Sequence, residues 1–219
     1  MTWGRPPIAC TRFCEQPDIP HVGGTKDPDV LAIAELRPDL VVLCEEENRR
    51  EDADALAGAG VTTAALAIDS IDDVAPALRM LAALVGVPAL RLPGLPGTDP
   101  VEARAHEGPQ VRAFVPIWRR PWMSLAGGTY GSSLLAAVGV ANVFADAPSR
   151  YPEVTLEEAR ERRPDVVLAP SEPYPFKERH VAQLEAVAPV RLVDGQDLFW
   201  WGARTPAAVD RLHRHLHNR

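Results

Sequence analysis

Short, continuous apolar runs alternate with amphipathic stretches along most of the chain. The runs are rich in valine and leucine, which is typical of strands that are buried on both faces of a parallel sheet. The stretches between them carry apolar residues at helical spacing. We therefore predict an α/β fold. The predicted strands include 7–11, 62–68, 111–117, 142–144 and 190–194, and the predicted helices include 27–37, 48–60, 72–85, 130–138, 178–187 and 206–217.

One helix–strand unit occurs twice in the sequence. In both copies an amphipathic stretch ends at Arg-Pro-Asp, because proline cannot continue a helix and disfavours helical geometry in the residue before it. An apolar run follows, and Glu46 stands seven residues after Asp39, just as Glu172 stands seven residues after Asp165. A repeat of this length predicts two related α/β lobes. Ligands of open α/β sheets bind at the C-terminal ends of the strands, where both glutamates are predicted.

The alternation breaks between the two copies, in a stretch that is rich in proline and glycine. Pro88, Pro93, Pro96 and Pro100 cannot lie in the interior of a helix. We predict an N-terminal α/β lobe of at least three strands, an interlobe helix with a Pro/Gly-rich connector, and a C-terminal α/β lobe. Their ranges are 1–70, 71–110 and 111–219.

Composition narrows the function classes. A net charge of −7 without a basic patch argues against binding to nucleic acid or to an anionic membrane. The sequence has no apolar run of about 18 residues that would span a bilayer. The first residues lack the apolar core of a signal peptide, so that we expect a cytoplasmic chain as written, or a periplasmic or extracellular chain if the N-terminus has been trimmed.

Chemistry-bearing side chains are sparse. The sequence has no nucleophile elbow, no phosphate-binding glycine loop and no metalloprotease helix. Cys10 and Cys14 are four residues apart with no second pair, so we interpret them as thiols rather than metal ligands. His21 is a candidate metal ligand, although an isolated histidine is more often structural. We predict no catalytic residue and no resident metal site.

Aromatic side chains concentrate in loops at the predicted strand ends. They are Trp118, Trp122, Tyr174, Trp200 and Trp201. A large macrocyclic or nucleotide-like ligand needs flat apolar walls and few polar contacts, which loop aromatics provide. The alternative interpretation is that some of these rings fill the interface between the lobes.

Seven short segments resemble the helical-backbone metal receptors, the class III periplasmic substrate-binding proteins of importers for cobalamin, haem and ferric siderophores. The likeness is greatest to the cobalamin-binding branch. The segments run in family order, cover most of the chain, and comprise 11–14, 23–26, 37–41, 45–49, 116–123, 142–146 and 172–176. The resemblance implies two Rossmann-like lobes with parallel sheets, joined by a linking helix, with a ligand cleft between the lobes.

The resemblance also implies a function. It predicts a substrate-binding protein of the ABC-importer type that binds cobalamin or a related tetrapyrrole and has no catalytic cofactor. The implied ligand-binding residues are Arg12, Phe13, Thr25, Trp118, Trp122, Tyr130, Tyr174, Trp200 and Trp201. The implied docking residues toward an ABC permease are Glu46 and Glu172.

Two departures from the family pattern keep alternatives open. Only about ten residues precede the Thr11–Cys14 segment, and the predicted linking helix is about half the usual length. The shorter N-terminus would leave an open sheet edge in the first lobe, which a homodimer partner could cover. The chain could instead be a cytosolic enzyme or biosynthetic accessory protein that uses the fold for another ligand, or an interaction module. An enzyme would have to use Cys14, His21 or an acid in the cleft.

Overall fold

The computed structural model describes residues 4–87 and 111–217 and divides into two compact units. The described part of unit 1 is 4–68 with 77–87, and that of unit 2 is 69–76 with 111–217. Each unit contains parallel strands with helices between them, so the predicted α/β class with two lobes and parallel sheets is confirmed. The predicted connector, 88–110, lies outside the described residues.

Unit 1 is built on two parallel strands, β1 (Val41–Cys44) and β2 (Thr63–Leu66). Helices α1 (Val30–Glu35) and α2 (Arg50–Gly58) supply the apolar side chains that pack against them. The buried core is Ile33, Leu43, Leu56 and Val61. The predicted third strand at 7–11 is wrong, since the described residues there form only one backbone bridge, between Cys10 and His21. Pro7 in that segment has no amide hydrogen to donate to a strand ladder.

Unit 2 contains a four-stranded parallel sheet in the order β6-β3-β7-β8. All five residues of β7 are buried, as expected for a strand covered on both faces. A short antiparallel pair, β4 with β5, follows β3. The strands are β3 (Val111–Phe114), β4 (Pro116–Trp118), β5 (Met123–Ser124), β6 (Val140–Asn142), β7 (Val166–Pro170) and β8 (Val190–Val193). The helices are α4 (Tyr130–Ala137), α5 (Leu156–Glu161), α6 (Glu178–Leu184), α7 (Gly195–Phe199) and α8 (Thr205–His217).

Helix α3 (Val74–Leu84) confirms the helix that was predicted before the connector. A 3-10 turn at Ile71–Asp73 precedes it, and Ser70 forms a capping box with Asp73. The first residues of α3 cluster with unit 2, and the residues from Ala77 onward cluster with unit 1.

The two copies of the repeat fold alike. Helix α1 ends just before Arg37 and α5 just before Arg163, and both arginines have left-handed backbones, with φ of 47° and 50°. The proline that follows each of them steers its predecessor away from helical geometry, so both helices stop at the same place. Glu46 and Glu172 each lie two residues past the last residue of their strand, β1 or β7. The predicted equivalence of the two positions is confirmed.

Helix caps explain most of the helix starts. Thr155 forms a complete capping box with Glu158 at the start of α5. Thr129 caps α4, since its hydroxyl accepts a hydrogen bond from the Ser132 amide. The predicted start of the first helix at Asp27 is wrong, because the Asp27 carboxylate is bound to an arginine and Asp29 caps α1 instead.

Two further boundaries differ from prediction. Strand β6 ends at Asn142, since the Asn142 side-chain oxygen accepts a hydrogen bond from the Phe144 amide at 3.0 Å and turns the chain. Residues predicted as a loop before Trp200 form α7 instead. Asp194 starts this helix by accepting a hydrogen bond from the Gln196 amide at 2.9 Å.

Candidate functional site

An aromatic cluster lies where β4 and β7 end in unit 2. Trp118 and Tyr174 meet edge to face, with ring centroids 5.7 Å apart. Tyr174 also contacts Phe176 at 4.8 Å, and Phe176 stacks on Trp122 at 6.0 Å with an interplanar angle of 5°. Phe176 is 4% exposed, whereas Trp118 is 45% exposed. The cluster therefore has a buried base and presents one indole to solvent.

His180 lies at the base of this cluster. Its ring contacts Tyr174 at 5.5 Å and Phe176 at 5.7 Å, and the residue is 5% exposed. Its Nδ1 accepts a hydrogen bond from the Lys177 amide at 3.0 Å and so caps α6. Burial, and then the charges of Arg179, Arg119 and Lys177, lower the pKa of His180. His180 is therefore neutral at pH 7.

Arg119 borders the cluster. Its guanidinium lies 5.8 Å from the centroid of the Trp122 ring, a cation–π contact. Its Nη2 and Nε donate to the Gln183 side-chain oxygen at 2.9 and 3.2 Å. The edge of the aromatic cluster thus carries the hydrogen-bond donors of Arg119 and the side-chain amide of Gln183.

Trp200 and Tyr130 lie elsewhere in unit 2, near the start of α8. Trp200 is half-buried beneath the Arg204 guanidinium, which lies 5.5 Å from its ring centroid, and Trp201 follows it, also half-buried. Tyr130 is 4% exposed, and its hydroxyl is 2.9 Å from the Thr205 hydroxyl. Burial raises the pKa of Tyr130, so the phenol stays protonated. The ligand-binding roles of these three residues stay predictions.

In unit 1, the predicted residues Arg12 and Phe13 occupy an exposed loop. The Arg12 guanidinium binds both carboxylate oxygens of Asp27, at 2.8 and 3.0 Å, and lies 4.9 Å from the centroid of the Phe13 ring. This pairing lowers the pKa of Asp27. A Cβ on Gly24 would lie 2.5 Å from an Asp27 oxygen and 2.8 Å from an Arg12 nitrogen. The glycine therefore leaves room for the fork-shaped ion pair.

Thr25 lies beside the end of β1. Its hydroxyl donates to Glu47 at 3.3 Å, and its carbonyl accepts from the Asn48 side chain at 3.0 Å. Asn48 also accepts from the Cys44 amide at 2.8 Å, and Lys26 donates to the Glu46 carbonyl at 2.8 Å. One network of hydrogen bonds thus holds the turn that carries Thr25 against the loop that carries Glu46.

Glu172 occupies the equivalent loop of unit 2 and packs against the first residue of α7. A Cβ on Gly195 would lie 2.6 Å from the Glu172 nitrogen and 2.7 Å from its oxygen. The Gly195 amide also donates to the Ser171 hydroxyl at 2.9 Å. This close backbone approach fixes the Glu172 loop to α7.

Other kinds of site are not built in the described residues, 4–87 and 111–217. No group of three or more His, Cys, Asp or Glu side chains there could hold a metal ion. Nor does that part of the chain contain a helix that is long and apolar enough to cross a membrane. Cys10, Cys14 and Cys44 are free thiols and half-buried.

Sequence comparison finds curated relatives at low identity. A vitamin B12-binding protein of Pectobacterium atrosepticum is 25% identical over 146 residues, which is 62% of this chain and 52% of that protein. The chain thus spans about half the length of the curated relatives it matches. No profile of a known protein family matches the sequence.

Structure comparison finds the same fold in solved structures of periplasmic ligand-binding proteins. The periplasmic vitamin B12-binding protein BtuF of Vibrio cholerae superposes with a TM-score of 0.74 at 19% identity, covering 95% of this chain and 87% of that one. A periplasmic haem-binding protein from Pseudomonas aeruginosa superposes with a TM-score of 0.75 at 18% identity, covering 96% and 84%. At these identities the comparison establishes the fold.

Proposed function

We propose that this chain, which has the fold of the class III periplasmic substrate-binding proteins and the sequence likeness of their vitamin B12-binding branch, is the substrate-binding protein of an ABC importer for a corrinoid. The predicted resemblance to that family agrees with the curated relative and with both solved structures. The proposal includes the importer function, the cargo and a location outside the cytoplasmic membrane.

The observation that carries the cargo assignment is the exposed indole of Trp118. Soluble proteins seldom leave a tryptophan 45% exposed, and here Tyr174 contacts it edge to face and in turn contacts the buried Phe176. A corrinoid has a broad, nearly flat macrocycle edged by amide side chains. The indole offers it an apolar face, while Arg119 and Gln183 offer hydrogen-bonding groups beside Trp122 in the same cluster.

Calorimetric titration with cyanocobalamin tests this proposal. We expect saturable binding of one corrinoid per chain, and a loss of about tenfold in affinity for Trp118→Ala, since one aromatic contact contributes roughly 1–2 kcal/mol. Trp118→Phe should retain most of the affinity because it keeps an aromatic face. Leu31→Ala is the matched control, as Leu31 is a large apolar residue, 78% exposed, in α1. Equal affinities for wild type and Trp118→Ala would refute the assignment of this surface.

Haem is the second candidate cargo, because a haem-binding protein shares the fold at a similar TM-score. A porphyrin is also flat and apolar, but it carries carboxylates where a corrinoid carries amides. The same titration with haemin distinguishes the two cargoes. Binding of neither would favour the alternative of an enzyme or accessory protein that uses the fold for another ligand.

We also propose that Glu46 and Glu172 dock onto basic residues of the permease. Their support is their equivalent position, two residues past a strand end in each unit. Glu46→Lys and Glu172→Lys should each abolish most cobalamin transport in liposomes that contain a cobalamin importer, while cobalamin binding is unchanged. Glu45→Lys and Glu178→Lys, at neighbouring exposed sites, are the matched controls. Transport that survives both charge reversals would contradict the docking role.

A homodimer over the sheet edge of unit 1 stays a prediction. Analytical ultracentrifugation across a range of concentrations tests it, and a single monomeric species throughout would contradict it.

A further inference from the structure

Two thiols flank the exposed loop that carries Arg12 and Phe13. Cys10 stands before these residues and is held by the segment around His21: its amide donates to the Pro20 carbonyl at 3.0 Å, and its carbonyl accepts from the Val22 amide at 3.0 Å. These two hydrogen bonds therefore fix the backbone of Cys10.

A turn brings the second thiol back toward the first. The Cys14 amide donates to the Thr11 carbonyl at 3.0 Å, and the Thr11 hydroxyl is 3.5 Å from the Cys14 sulfur. Burial raises the pKa of Cys10, and the neighbouring thiol of Cys14 raises it further. The turn thus folds Cys14 back beside Thr11, the residue next to Cys10, in the reduced protein.

The surroundings favour oxidation of this pair over metal binding. Structural zinc takes four ligands, and soft metals in proteins are usually held by more than two side chains. Among the described residues, no third or fourth His, Cys, Asp or Glu completes such a set with Cys10 and Cys14. Two adjacent, half-buried thiols need only lose two electrons to become a disulfide.

We propose that Cys10 and Cys14 form an intramolecular disulfide in an oxidising compartment, and that this bond ties down the loop that presents Arg12 and Phe13. The compartment rests on the proposed function, because disulfides persist outside the cytoplasm. The chemistry of the pair does not depend on the cargo.

The reaction is exchange with a small disulfide such as oxidised glutathione. One protein thiolate attacks the glutathione disulfide, whose sulfur–sulfur bond breaks, and a mixed disulfide forms as one glutathione thiolate leaves. The second protein thiolate then attacks the protein sulfur of the mixed disulfide and displaces the second glutathione thiolate. Two protein thiols are oxidised to one disulfide, one glutathione disulfide is reduced to two thiols, and the two protons pass to the released thiolates.

The bond would matter for binding because it preorganises an exposed loop. Phe13 is 59% exposed, and the ion pair of Arg12 with Asp27 is open to solvent. A closed ring between the cysteines removes loop conformations that a ligand would otherwise have to freeze. The oxidised chain should therefore bind its cargo at least as tightly as the reduced chain.

Thiol counting in glutathione buffers tests the disulfide. The folded chain is equilibrated at graded ratios of oxidised to reduced glutathione, alkylated with iodoacetamide in denaturant, and weighed as intact protein. With three cysteines in the sequence, we expect three labels under reducing conditions and one label, on Cys44, under oxidising conditions. Cys10→Ser should keep labels or glutathione adducts on both of its remaining cysteines, and it is the matched control.

A comparison with the unfolded chain shows whether the fold favours the bond. The same titration in concentrated urea should need a glutathione ratio at least tenfold more oxidising to form the disulfide. Three labels at every ratio, a persistent glutathione adduct, or equal midpoints with and without urea would overturn the proposal. Because thiols are counted without any cargo, this result stands apart from the corrinoid titration.

Discussion

Replacing Gly195 with alanine is the sharpest test of how unit 2 positions Glu172. Gly195 is the buried first residue of α7, and an added Cβ would lie 2.6 Å from the Glu172 nitrogen and 2.7 Å from its oxygen. Ordinary contacts of a Cβ begin near 3.4 Å. The Glu172 Cγ would lie nearer still, but the backbone nitrogen and oxygen cannot swing aside as a side chain can, so the two segments must separate by several tenths of an ångström.

The magnitude follows from overpacking. Insertion of a methyl group into a well-packed site costs about 1–3 kcal/mol when backbone has to shift. With a urea dependence of about 2 kcal/mol/M, the midpoint of unfolding should fall by about 0.5–1.5 M. Tryptophan fluorescence is a suitable probe, because four of the five tryptophans lie in unit 2.

Gly128→Ala is the matched control for Gly195→Ala. Gly128 is an exposed glycine of the same unit, and an added Cβ there would meet nothing within 4 Å. Its unfolding midpoint should stay within about 0.3 M of wild type. Equal midpoints for Gly195→Ala and Gly128→Ala would refute the claim that the Glu172 loop is fixed by its contact with α7.

Three other perturbations probe the structure. Phe114→Ala should lower the free energy of unfolding by about 3–5 kcal/mol in urea titrations, because Phe114 is fully buried in the core of unit 2. Thr155→Ala removes a complete capping box and should cost about 1 kcal/mol by the same measurement, whereas exposed Ser149→Ala should cost much less. Stability should fall as the pH drops from 7 to 5, since burial and neighbouring positive charges keep His180 neutral in the fold while the unfolded chain takes up a proton near pH 6.5. His180→Gln should reduce that slope, and an unchanged slope would contradict the placement of His180.

The repeat is the feature that sequence predicts best. Arg-Pro-Asp stops a helix for a local reason, so the ends of α1 and α5, the strands after them and the positions of Glu46 and Glu172 follow from a few adjacent residues. Burial on both faces of β7 likewise follows from its unbroken apolar run.

The misses come from interactions between distant residues. Asp27 looks like a helix cap, but it is paired with Arg12, fifteen positions away. Helix α7 is only five residues long, and its apolar end carries no readable period, although Asp194 is a usable cap signal. Local sequence patterns do not predict short elements whose conformation depends on contacts with distant residues.

The aromatic cluster is likewise predicted only in part from the sequence. Loop position predicts Trp118 and Tyr174 as candidates, and the structure brings them into contact. Loop position does not predict that His180 and Phe176 form the base of the cluster, because those contacts join residues of different elements. Tyr130 opens a helix and looks equally available, yet the fold buries its ring and bonds its hydroxyl to Thr205.

The central claim is that this chain binds a corrinoid, and competitive equilibrium dialysis tests it most directly. The purified chain is dialysed against equimolar cyanocobalamin and haemin, and each ligand is measured by its absorbance on both sides of the membrane. We predict that each chain retains one cobalamin and little haem, and that Trp118→Ala weakens the affinity for cobalamin about tenfold. Retention of haem alone, or of neither ligand, would contradict it.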